Sequence, residues 1–249
     1  MNLFDIKNKV FIVAGAGRGL GLQLSKYLSH QNALVIGIDK IFSSEKDSRF
    51  FFKKYKLDLG DKKKLKKNFT KIIEKNKKID GLVFCAGITD PNDKYDSFSE
   101  AKLEKVFNVN VQSAYVLNYL VANFMLKKKI KGSIINFTSI GAHQAFPKNP
   151  YYCTSKGALK QLTKSFAYDY GSKGIRFNNL VPGYFKTPMN KKTLSLKNKV
   201  KERSKRNLLL RWGDPSEICG AVHFLLSNAS SYVTASDLVI DGGWLNKGI

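Results

Sequence analysis

The chain has 249 residues, enough to bury a large core without disulfides or a structural metal, and its 43% apolar content argues against disorder. Its 43 Lys and Arg against 19 Asp and Glu give a formal charge of +24, which predicts weak, salt-sensitive affinity for polyanions. The excess is mostly lysine, spread along the chain and without a zinc-finger or RNA-recognition motif, so no specific nucleic-acid partner is expected.

Abundant Lys, Asn, Ile and Phe fit a drift toward A/T-rich codons better than a binding surface. Cys85, Cys153 and Cys219 lie far apart with no CxxC pair, so neither a disulfide framework nor a metal site is expected. The segment Met1 to Lys7 is not a secretory signal, and no apolar run is long enough to cross a bilayer. These features predict a soluble cytoplasmic protein with no membrane partner.

The first predicted strand is Val10 to Ala14, followed by a glycine-rich turn and a helix through about Leu28. Ala33 to Ile38 is a near-continuous apolar strand that stops at Asp39, and Phe50 to Leu57 reads as a third, more exposed strand. A very basic helix runs from about Lys62 to Asn76, and Ile79 to Cys85 is the fourth strand. A long helix covers about Val106 to Leu126; Gly132 to Phe137 is the fifth strand, and Tyr151 to Tyr170 the next helix. Gly174 to Leu180 is the sixth strand, closed by Pro182-Gly183. A basic, loosely patterned segment spans Asn190 to Asn207, then a helix from about Pro215 to Ser227 and a seventh strand from Asp237 to Ile240.

Short, doubly apolar strands alternating with helices predict one α/β domain over residues 1–249, with a doubly wound, mostly parallel sheet of seven strands. Ligands of such sheets sit at the carboxyl ends of the strands.

Gly15-Ala16-Gly17-Arg18-Gly19-Leu20-Gly21 follows the first strand and opens the first helix. Glycines there let the backbone approach a pyrophosphate, whose charge the helix N-terminus favours. Asp39 ends the second strand, where a carboxylate meets the adenosine ribose and repels a 2′-phosphate. NAD is therefore the preferred cofactor, and Arg18 and Lys40 leave NADP open. Tyr152 and Lys156 stand four residues apart on a predicted helix, so phenol and ammonium share a face. A neighbouring ammonium lowers a tyrosine pKa toward the range useful for acid/base catalysis.

In order, Gly15-x3-Gly19-x-Gly21, Ala86-Gly87, Asn110, Ser139, Tyr152-x3-Lys156 and Pro182-Gly183 resemble the short-chain dehydrogenase/reductase family, over Lys7 to Gly243. The resemblance implies a Rossmann fold and hydride transfer between a nicotinamide cofactor and a secondary alcohol or ketone. It makes Tyr152 the general acid/base, Ser139 the holder of the substrate oxygen, and Lys156 the group that lowers the tyrosine pKa and binds the nicotinamide ribose. Asn110 would hold a water on the proton path. The turn residues Gly15, Arg18, Gly19, Leu20 and Gly21 would receive the pyrophosphate. Asp58 and Leu59 would meet the adenine, Ala86 and Gly87 line the adenosine side, and Pro182, Gly183 and Thr187 orient the carboxamide.

Three positions depart from the family pattern: Ala14 where Thr is usual, Phe84-Cys85 where two asparagines are usual, and Ala235 where glycine is common. The segment at about 184–207 would cover the substrate, and its Lys and Arg side chains suit an anionic one. His143 and Gln144 are further candidates to face it. The ends of the chain resemble members acting on sugar acids and polyols, such as gluconate 5-dehydrogenases; the core motifs equally resemble 3-oxoacyl-carrier-protein reductases. A cofactor-binding sensor or scaffold without catalysis is the alternative of another class. The family resemblance also implies a homotetramer, with Trp244, Leu245 and Ile249 as candidate contact residues.

Overall fold

The computed structural model describes residues 2–91 and 99–247. Strands β1 (Val10–Ala14), β2 (Leu34–Asp39), β3 (Lys53–Lys56), β4 (Gly81–Phe84), β5 (Ser133–Phe137), β6 (Arg176–Pro182) and β7 (Asp237–Ile240) form one sheet. Their order is β3-β2-β1-β4-β5-β6-β7. Every neighbouring pair is parallel, so the sheet is wholly rather than mostly parallel.

Both faces of the sheet are buried, which explains the continuous apolar runs. Along β1, Val10, Ile12 and Ala14 enter one core while Phe11 and Val13 enter the other. The first core is closed by residues of α2 (Lys62–Glu74), α4 (Ser113–Lys127) and α5 (Pro150–Tyr170). The second is closed by α1 (Gly19–His30) and α8 (Cys219–Leu226). The remaining helices are α3 (Glu100–Phe107), the short α6 (Lys191–Leu194), α7 (Lys197–Lys205) and α9 (Trp244–Lys247).

Three elements differ from expectation. The third strand is short because Glu45–Phe50 coils into a 3₁₀ turn, started by the Ser44 side chain accepting from the Lys46 amide. The long helix starts six residues earlier than its apolar pattern, at Glu100, because the Ser99 side chain caps it by accepting from the Lys102 amide. It is also not regular: between α3 and α4, residues Asn108–Gln112 widen into a π turn. Such turns insert a residue without breaking the helix and often occur at functional sites.

At the end of the chain, Ala235 holds a left-handed backbone with φ of 58°, which accounts for glycine being common there. Trp244 was an expected subunit contact, but it is buried in its own chain against Ile140 and Val181. Leu245 packs partly buried against the same cluster, and Ile249 lies outside the described residues. No described helix is long and apolar enough to cross a membrane.

Candidate active site

The strand order reverses beside β1, whose neighbours are β2 and β4, and the chain leaving β1 must turn within the crevice this creates. It turns at Gly15, with φ of 88°. A Cβ on Gly15 would stand 2.7 Å from the Ala86 nitrogen, so the glycine turn lies directly on the chain leaving β4. Helix α1 then begins with Arg18 as N-cap, no side-chain cap and no acidic residue in its first turn. Its first turn, Gly19, Leu20 and Gly21, therefore presents backbone amides and the positive end of the helix dipole without a built-in anion. Across the crevice, Thr187 and Pro188 lie 3.8 and 3.6 Å from where a Gly19 Cβ would stand. Gly19 itself holds a left-handed backbone with φ of 58°.

Asp39 ends β2 and turns its carboxylate onto the same turn. It accepts from the Gly17 amide at 2.9 Å and the Ile41 amide at 3.2 Å. Asp58 is exposed beyond β3 and accepts from the Gly60 amide at 2.8 Å, while Leu59 beside it is buried. Gly60 in turn lies against Val109 in the π turn.

Ala86 and Gly87 leave β4 toward that π turn. Asn110 is fully buried and clamps the next residue: its Oδ1 accepts from the Ile88 amide at 2.8 Å and its Nδ2 donates to the Ile88 carbonyl at 2.9 Å. The same Nδ2 donates to Ser155 Oγ at 2.9 Å. Asn110 thus ties the end of β4 to α5, a role in positioning the chain that its expected task on a proton path did not include.

Tyr152 and Lys156 lie one turn apart on α5, and Ser139 follows β5 by two residues. Ser139 lies close enough to Tyr152 to pull the pKa of its phenol down, and its hydroxyl accepts from the Gly141 amide at 3.0 Å. Lys156 Nζ donates to the Phe137 carbonyl at 2.8 Å and sits 5.8 Å from the centre of the Tyr152 ring. It also closes on Gly87, where a Cβ would be only 3.1 Å from Nζ. Tyr151, the neighbour of Tyr152, instead accepts from the Ser99 amide at 2.8 Å, at the start of α3.

Burial dominates the titration of this group. The Tyr152 phenol is pushed up to about 12 by burial, with Ser139 pulling the other way. Lys156 is pushed down to about 8, again by burial, with the Cys85 thiol opposing. The sequence suggested that Lys156 lowers the tyrosine pKa; in the chain alone the phenol is instead raised, with desolvation as the largest cause and Ser139 as the group that opposes it.

Pro182 closes β6, and the Gly183 amide donates to the Ile240 carbonyl at 2.9 Å. Thr187 occupies the N-cap of a short 3₁₀ turn without a side-chain cap bond. His143 is turned onto Lys160, 3.3 Å from its Nδ1, and toward Asp237. Gln144 is exposed.

An aromatic group was missed by sequence reasoning: Tyr184 packs against Phe146, Trp212 and Trp244, with Arg203 over its ring. The ring of Phe146 and the ring of Tyr152 both abut Gly141. The isolated aromatic residues carried no spacing signal that could have grouped them.

Residues 15–245 match a family model described as Enoyl-(Acyl carrier protein) reductase. A 2-dehydro-3-deoxy-D-gluconate 5-dehydrogenase of Bacillus subtilis (strain 168) is 34% identical over 98% of this chain and 97% of its own. The L-rhamnose 1-dehydrogenase (NADP(+)) of Thermoplasma acidophilum is 34% identical over 98% of each. The solved structure of 4-hydroxyisoleucine dehydrogenase complexed with NADH superposes with a TM-score of 0.91. It is 30% identical, covering 96% of this chain and 99% of that one. The chain belongs to the short-chain dehydrogenase/reductase family. It is an oxidoreductase that uses a nicotinamide cofactor and acts on CH–OH groups.

The lysine of this reductase-family site yields a pH prediction. Folding lowers Lys156 from 10.5 to about 8, so between those values the unfolded chain holds a proton that the folded chain lacks. This group therefore makes stability rise with pH across that window. Lys156→Met removes the rise. In denaturant titrations the wild type should gain on the order of 2–3 kcal/mol relative to the variant between the two pH limits. A pH-independent difference would mean that Lys156 titrates as an exposed lysine does.

Proposed function

We propose that this chain is an NAD-dependent dehydrogenase that oxidises a secondary alcohol of a sugar acid or polyol, or reduces the matching ketone. The observation carrying this reading is the convergence of Tyr152 and Lys156, one turn apart on α5, on Ser139 and Gly141 beyond β5 and on Gly87 beyond β4. Ser139 holds the substrate oxygen, and Tyr152 takes its proton during oxidation or returns one during reduction. With the phenol near 12 and Lys156 near 8 in the chain alone, proton transfer needs added positive charge beside Tyr152. Asn110 holds the chain leaving β4 to α5, and would hold a water that continues the proton path.

The oxidised nicotinamide, when bound, supplies the hydride acceptor. The uncapped first turn of α1, with backbone amides free of a side-chain cap, fits a dinucleotide pyrophosphate. Gly15, Arg18, Gly19, Leu20 and Gly21 would hold its pyrophosphate, Asp39 the adenosine ribose, and Asp58 and Leu59 the adenine. Ala86 and Gly87 would line the adenosine side, Tyr152 and Lys156 the nicotinamide ribose, and Pro182, Gly183 and Thr187 the carboxamide. The carboxylate of Asp39, fixed by two amides, favours NAD over NADP. The segment at about 184–207 covers the substrate within the single domain of residues 1–249. The Bacillus relative named for a sugar acid supports the substrate class.

Turnover should be read as nicotinamide absorbance with NAD and NADP across sugar acids, polyols, hydroxy acids and 3-oxoacyl thioesters. NAD turnover of a sugar acid or polyol is expected. Tyr152→Phe should lower it by about a hundredfold or more through loss of acid/base catalysis. Turnover of 3-oxoacyl thioesters with NADPH alone would replace this substrate reading, and near-normal turnover in Tyr152→Phe would remove the mechanism.

The protein is further proposed to be cytoplasmic, in keeping with free Cys85, Cys153 and Cys219, and homotetrameric. Exposed Tyr115 and Tyr119, stacked at 6.3 Å along α4, supply an apolar face for subunit contact. Light scattering should give four chains per particle; a monomer would contradict the assembly.

A further inference from the structure

Nine Lys and Arg side chains lie between residues 186 and 206. Eight are exposed, and Arg203 alone is half-buried. Two of the others have carboxylate partners: Lys186 pairs with Asp214 at 2.9 Å and Arg206 with Glu202 at 3.5 Å. Among the described residues Arg203 has no carboxylate partner. Its guanidinium donates from Nη1 to Thr193 Oγ1, at 3.4 Å. The guanidinium lies instead over the ring of Tyr184, 5.0 Å from its centre.

That ring connects Arg203 to the site. Tyr184 packs on Phe146 at 6.4 Å, and Phe146 abuts Gly141, which also touches the Tyr152 ring. An apolar wall therefore runs from the reactive phenol to a cation held at its far end. Burial raises the pKa of the half-buried Tyr184 phenol, and Arg203 over its ring opposes that rise. A partly desolvated cation without a counter-ion costs free energy that an incoming anion relieves. Arginine's planar fork matches a carboxylate with two parallel hydrogen bonds, which the surrounding lysines cannot make.

We propose that Arg203 binds the carboxylate of a sugar-acid substrate and sets its specificity, with Phe146 and Tyr184 carrying the carbons between that carboxylate and Tyr152. This rests on the sugar-acid reading and names the group that recognises the acid. It also gives a physical basis for register: anchoring the carboxylate selects which hydroxyl reaches the phenol.

The test compares gluconate with glucitol, which has the same number of carbons but no charge, in the wild type, Arg203→Gln, Arg203→Lys and Lys205→Gln. Arg203→Gln should raise KM for gluconate and lower the acid-over-polyol ratio of kcat/KM by about thirtyfold, as expected for losing hydrogen bonds to a charged group. Arg203→Lys should recover part of this, since it keeps the charge and loses the fork. Lys205→Gln removes the same charge from an exposed neighbour and should leave the ratio within about twofold. An unchanged ratio in Arg203→Gln, or equal losses in both glutamine variants, would overturn the proposal.

If the wild type oxidises neither compound, the sugar-acid turnover reading fails by itself. Arg203 is then read from gluconate binding to the NAD-loaded protein, through the fluorescence of Trp212 and Trp244, which pack on Tyr184. Binding weakened only in the Arg203 variants supports the assignment. No binding by the wild type, or equal binding by Arg203→Gln, overturns it.

Discussion

The chain leaving β1 and the chain leaving β4 touch so closely at Gly15 and Ala86 that no side chain fits between them. This contact occurs where the strand order reverses, and it decides the shape of everything at the carboxyl edge. It directs the backbone into α1 with the helix N-terminus facing the crevice, and it leaves Asp39 free to grip the turn through Gly17. On the other side, the chain beyond Ala86 is clamped by Asn110 and closes on Lys156 across Gly87. The dinucleotide side and the proton-transfer side of the site are thus two consequences of one close packing.

The second theme is a competition between burial and charge. Tyr152 and Lys156 are both held in the uncharged direction by desolvation, although their spacing brings a phenol and an ammonium together. The scaffold gives Lys156 the Phe137 carbonyl and sets Ser139 close enough to Tyr152 to oppose the effect of burial. Such a site is poised rather than active by itself, because each partner lacks some of the charge that would stabilise its ionised form. Arg203 is placed in a similar condition, half-buried over an aromatic ring and without a carboxylate partner among the described residues. Unmet electrostatic demand at a site is a reason for ligands to bind there.

The strands were legible because both faces of the sheet are buried, so Ile12 and Val13 are equally hidden and the whole run is apolar. The third strand was read too long because Phe50, Phe51 and Phe52 look strand-like, whereas Ser44 starts a 3₁₀ turn that absorbs Phe50. The residues around Tyr152 were legible from several motifs in order along the chain, since a Tyr and a Lys four residues apart occur too often by chance to carry weight alone. The π turn at Asn108–Gln112 was not, because an inserted helical residue leaves the apolar pattern nearly unchanged. Arg203 was hidden among nine basic residues of similar appearance, and only burial separates it from its exposed neighbours. Trp244 looked like an external contact from its place near the end of the chain; packing with Phe146 and Tyr184 puts it inside.

A chain with a formal charge of +24 attracts any anionic dinucleotide, so affinity at low salt says little about the crevice. The decisive measurement is calorimetric titration of NAD at about 0.3 M salt, where exposed charges are strongly screened. A built site predicts saturable binding of one NAD per chain that persists under these conditions. Heat that disappears as salt is raised, leaving no saturable site, would contradict the dinucleotide crevice on which the proposed chemistry depends.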